Sequence, residues 1–150
     1  MLLALSFVGP LVAVAAVLVI VFAMIRRAID RAADALTPEG IELDSGPVTV
    51  TTRLRNYRAP GFYSGGAYRR NPARVVLTKQ RLYILQRPQR FGVIDRADLA
   101  AFTIGILDGK LQLRSDKPPG ATGSIDFRIP VRDPDAWVAR LASAGASRAG

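Results

Sequence analysis

The fold class this chain predicts is an N-terminal transmembrane helix followed by a mainly-β domain that one C-terminal helix closes. Three observations carry that expectation. The first 25 residues hold no charged side chain, hydrophobicity alternates with period two from Gly40 onward, and a capped amphipathic segment follows near the C-terminus.

From Leu2 to Ile25 only Ser6, Gly9 and Pro10 interrupt an apolar run. As a helix it reaches roughly 36 Å, enough for a hydrocarbon core of about 30 Å. No Lys or Arg precedes the run, and Arg26, Arg27 and Arg31 follow where a signal cleavage site would lie. The segment is therefore expected to be a retained span and not a removed leader. Basic residues beside a span mark its cytoplasmic flank. The expected location is the inner (plasma) membrane, single-pass, with the N-terminus outside and the C-terminal domain in the cytoplasm.

The span is taken as residues 1–25 and a helical stalk as 26–39, ended by Thr37-Pro38 because the residue before proline leaves the helical region. A domain over 40–145 and a disordered tail over 146–150 complete the organisation. In Val48–Arg55, Val48, Val50, Thr52 and Leu54 alternate with polar neighbours, which is a half-buried strand. Similar runs at Arg74–Lys79, Arg81–Gln86, Phe91–Ile94, Ala101–Leu107, Lys110–Ser115 and Ser124–Pro130 make about seven strands. Leu107-Asp108-Gly109-Lys110 is a tight hairpin signal, since Asp-Gly tolerates the positive φ of a type I′ turn. Asp133 suits an N-cap, Pro134 the first helical position and Gly145 the position after the last turn, with Trp137, Val138 and Leu141 on one face.

Composition excludes most chemistry. There is no cysteine and no histidine, so thiolate nucleophiles, disulfides, the usual proton shuttle and the commonest zinc ligands are all missing. No Walker, GxSxG or dinucleotide GxGxxG motif occurs. Asp95 and Asp98 could share a turn, but a cation site there is not expected. The chain is read as non-enzymatic, with no cofactor and no metal.

Charge is unevenly distributed. The net charge is +9, yet between Gly46 and Ile94 there is no acidic residue and ten Arg or Lys, so the excess sits in one stretch. One-sided charge over half a domain favours an anionic partner. Nucleic acid is not expected beside a membrane anchor.

Seven short strands and a closing helix that carries a tryptophan resemble pleckstrin homology (PH) and GRAM-like domains. The piece VVLTKQRLYIL, Val75–Leu85, is similar to the strand-turn-strand "LTxxRLY" of bacterial PH-like domains, with Thr78 and Arg81 bracketing a two-residue turn, and Trp137 resembles the family's helix tryptophan. The resemblance implies a PH-like barrel over roughly Gly40–Ala144. It also implies that the segment Ala59–Asn71, between the first two strands, forms a headgroup-holding loop. Its aromatic residues suit the bilayer interface and its guanidinium groups suit phosphate. The candidate lipid-binding residues are thus Arg58, Phe62, Tyr63, Tyr68, Arg69, Arg70 and Arg74. The family's basic spacing is not reproduced, so the expected contact is general attraction to anionic phospholipid, with a membrane protein partner held beside it. Two other readings remain open: a membrane-anchored protein–protein adaptor without lipid specificity, and an extracytoplasmic polyanion-binding domain.

Overall fold

The computed structural model describes residues 2–87 and 92–150. Helix α1 runs unbroken from Leu2 to Asp34, so the expected span and the first part of the expected stalk are one helix of 33 residues with Pro10 inside it, while 35–39 are turn and 3-10. At the helical rise it is about 50 Å long. Its residues from Leu11 to Met24 project large apolar side chains into the surroundings, and it is long and apolar enough to cross a membrane. A 3-10 turn at Thr37–Glu39 and Gly40, at φ +75°, then reverse the chain.

Strands β1 (Ile41–Ala59), β2 (Phe62–Thr78), β3 (Arg81–Gln86), β4 (Val93–Asp95), β5 (Thr103–Leu107), β6 (Lys110–Ser115), β7 (Thr122–Ile129) and β8 (Ser147–Arg148) form one curled sheet, ordered β4-β3-β2-β1-β7-β6-β5-β8. The first seven pair antiparallel with their neighbours, and β8 adds to β5 in parallel. The tail expected to be disordered is therefore partly tied in, because Ala149 N–H also donates to the Ile104 carbonyl. Phe91, where the fourth strand was expected to start, and Arg90 lie outside the described residues. A 3-10 segment, Arg96–Ala101, leads into β5 and buries Leu99.

The expected loop Ala59–Asn71 is a correction: it is strand. β1 and β2 pair from Ile41↔Thr78 through Ala59↔Phe62, leaving only Pro60-Gly61 as the turn. Proline supplies the fixed φ of the first turn position and Gly61, at φ +71°, the second, which is a type II arrangement. Close to the turn end of this ribbon, Asn56 at φ +47° breaks the register with β7. There Gly123 comes so close that a Cβ would collide with the Asn56 carbonyl oxygen.

The remaining turns follow their residues. Asp108 and Gly109 hold φ +52° and +70°, giving the type I′ hairpin. Thr78 Oγ1 accepts the N–H groups of Gln80 and Arg81 and so closes the β2–β3 turn. Helix α2 (Pro134–Ser143) is capped by Asp133, whose carboxylate accepts Ala136 N–H at 3.0 Å. Trp137 and Leu141 enter the main core with Leu54, Leu77, Leu113 and Phe127. The helix thus covers the sheet beside β5 and β6.

Candidate functional site

The C-terminal part of α1 packs against the sheet. Ile29 and Ala33 are buried against Val76, Tyr83 and Leu85 on the outer face of β2 and β3, with Ile25, Ala32 and Leu36 packed around them. Polar contacts lock both ends of this small second core. Glu39 accepts from the Tyr83 hydroxyl at 2.8 Å and from Thr78 Oγ1 at 3.1 Å. Arg74 reaches Asp44 through Nε and Nη2 (3.0 and 2.7 Å) and Asp30 through Nη1 at 3.2 Å.

Arg74, one of the expected phosphate contacts, is thus already bonded to two carboxylates. Its guanidinium is engaged by two carboxylates, which raise its pKa above the ordinary arginine value, the Asp44 hydrogen bond first. In return Arg74 holds the Asp44 carboxyl below the usual carboxylate range, opposed by burial and aided by Gly46 N–H. Tyr83 moves the other way, raised by burial and by its bond to Glu39.

The same contacts give the sheet a direction. Glu39, in the 3-10 turn that follows α1, meets Thr78, while Asp30, nearer to the apolar run, meets Arg74. From Arg74 to Thr78 β2 therefore runs in the same sense as the chain from Asp30 to Glu39, so the apolar run of α1 lies on the side toward which β2 begins. Because neighbouring strands alternate in direction, the Pro60-Gly61 turn, the end of β3 at Gln86 and the end of β6 at Ser115 share the sheet end toward which the apolar run of α1 points. The Thr78–Arg81 turn and the Asp108-Gly109 hairpin lie at the opposite end.

The other candidate residues do not form one cluster. Arg58 stacks on Tyr63, and Arg53 on Tyr68, each with its guanidinium carbon 5.3 Å from the ring centre. Both pairs are direct cross-strand partners, and Tyr63 and Tyr68 are 61% and 59% exposed. Phe62 is half-buried against the main core, with its ring 6.1 Å from Tyr57. Arg69 pairs with Thr52 and Arg70 with Thr51, which turns the two arginines to opposite faces of the ribbon. They cannot clamp one phosphate together. Arg70 shares its face with Tyr68 and Arg53.

Asp95 pairs with Arg81 at 2.6 Å. Sequence reasoning missed the basic residues of the sheet centre. On the outer face, β1 places Arg53 and Arg55 beside Asp126 and Ser124 of β7, and β6 places Arg114 on the far side of Asp126. Their alternate spacing was the available signal. Arg53 and Arg55, and Arg114 in β6, stand at alternate strand positions, but their meeting depends on the β1–β7–β6 register. No protein-family model matches the chain, and no curated protein matches it in sequence.

Proposed function

We propose that this chain is a non-enzymatic, single-pass membrane protein whose PH-like domain lies in the cytoplasm, rests on anionic phospholipid, and holds a partner at the inner face of the membrane. The observation that carries the reading is the docking of α1 on the outer face of β2 and β3. If the charged edge Arg26-Arg27 marks the bilayer boundary, Asp30 stands only about 6 Å beyond it along the helix. Arg74, ion-paired to Asp30, is then held close to the headgroups. The sheet end on that side carries Arg58, Tyr63, Arg87 and Lys117, all exposed.

Aromatic rings and guanidinium groups on such an edge suit the interface between headgroup and water. Each basic residue near an anionic leaflet contributes about 1 kcal/mol, and the covalent anchor keeps the domain at high local concentration. Seven antiparallel strands followed by a tryptophan-bearing helix support the PH-like reading. The end bearing the Asp108-Gly109 hairpin faces away from the bilayer and is open to a partner.

The test is amide hydrogen exchange on the full chain in nanodiscs. Residues 58–70 and 115–121 should exchange more slowly in anionic than in neutral discs, and the difference should shrink from about 50 to 200 mM salt. Equal exchange in both lipids would contradict the lipid contact and leave a protein partner as the reading.

A further inference from the structure

The groove across β1, β7 and β6 has the composition of an anion site. It encloses about 320 Å³ and is lined by Arg53, Arg55, Arg114 and Arg128, with Ser124, Gln112 and one carboxylate, Asp126. Four guanidinium groups around one carboxylate leave a lining charge of +3. The partners of these cations are few. Arg114 reaches the exposed Asp116 at 2.9 Å, and Arg128 approaches Asp108 and Asp126 only at 4.0 and 3.9 Å. Among the described residues, Arg53 and Arg55 form no ion pair.

The floor of the groove is also unsatisfied. Arg128 Nε and Asp126 Oδ1 are both buried without a hydrogen-bond partner, while Asp126 Oδ2 accepts from Gln112 at 3.0 Å. Buried polar atoms left unpaired cost free energy, and native proteins keep few of them without a reason. The unmet donor and the unmet acceptor belong to residues two apart on β7, with Arg128 Nε 3.9 Å from Asp126 Oδ2, in a groove with an excess of positive charge. A phosphate entering the groove would offset that excess and give the guanidinium forks the oxygen acceptors whose geometry they match. A hydroxyl on the same molecule would suit Asp126.

We infer that the outer face of β1, β7 and β6 is a binding site for a phosphate group of two or more negative charges, a phosphomonoester or diphosphate, gripped by Arg53, Arg55, Arg114 and Arg128. The group comes from a lipid headgroup or from a soluble compound. The site is separate from the hairpin edge that carries the lipid-facing reading, and its soluble form needs no bilayer.

The experiment uses the full chain in neutral nanodiscs. Inorganic pyrophosphate is titrated in one arm; in the other, phosphatidic acid, a phosphomonoester lipid, is placed in the disc and compared with phosphatidylglycerol, a phosphodiester. The variant is R55Q/R114Q, at two exposed positions, with R58Q as the control at the hairpin. Pyrophosphate binding that weakens at least about tenfold in R55Q/R114Q, and stays unchanged in R58Q, supports a soluble ligand. Preference for phosphatidic acid with the same dependence supports a headgroup. Absence of binding in both arms, or binding that R55Q/R114Q leaves intact, overturns the site while leaving the exchange test of the hairpin edge untouched.

Discussion

At the scale of single residues, Arg74 is the side chain on which the arrangement turns. It joins residues 30, 44 and 74, three separated parts of the chain, in one charge cluster. Charge-assisted hydrogen bonds of this kind contribute about 1.5–3 kcal/mol when a partner is lost. Arg74→Met should therefore lower stability by about 2 kcal/mol, read as a drop in Tm, while Arg70→Met leaves Tm unchanged. The Asp44 carboxyl, lowered in the fold, releases its proton more readily there than in the unfolded chain. Its contribution is present above about pH 4 and is lost as pH falls through the lowered folded value. Acid unfolding followed by circular dichroism should show a shallower loss below pH 4 in Asp44→Asn than in the parent. Gly123→Ala should destabilise by at least about 2 kcal/mol, because it combines a positive φ of +82° with a collision at Asn56.

At the scale of elements, the local turns were legible and the long ribbon was not. Asp108-Gly109, the Thr78–Arg81 turn and the Asp133 cap each act through neighbours within four residues, so their residue types suffice. The stretch Ala59–Asn71 misleads because Gly65 and Gly66 with scattered aromatics resemble a loop. Pairing to β1 over its full length instead orders it, and Arg-on-Tyr stacking lines its exposed positions. Once the segment is strand, alternation alone separates Arg69 from Arg70. The role of Arg74 could not be read locally, since its partners lie 30 and 44 residues away. The stalk was likewise read as a spacer, although Ile25, Ile29, Ala32, Ala33 and Leu36 repeat at helical spacing and form the stripe that packs on the sheet. Ile29→Ala should cost about 2 kcal/mol. A fragment beginning at Gly40 should bind an apolar dye that a fragment beginning at Arg26 does not, because Val76, Tyr83 and Leu85 lose their cover.

At the scale of the whole molecule, one continuous helix joins an apolar run long enough to cross a membrane to the face of a sheet, and the joint is packed and ion-paired. The orientation of the domain is then a property of the fold. In the proposed reading, attraction between anionic lipid and the basic edge adds to the arrangement set by the helix. Because the chain has no cysteine, one introduced cysteine can report position without background. Gly66→Cys suits the near end, since a Cβ there meets nothing within 4 Å, and Lys110→Cys suits the far end beside the Asp108-Gly109 hairpin. Spin labels at these two sites, in the full chain reconstituted in anionic vesicles, can be compared for access to a lipid-soluble and a water-soluble relaxation agent. The account predicts headgroup-level depth for the label at position 66 and full water exposure at position 110. Equal water exposure at both sites would contradict a sheet held against the bilayer by its docked helix.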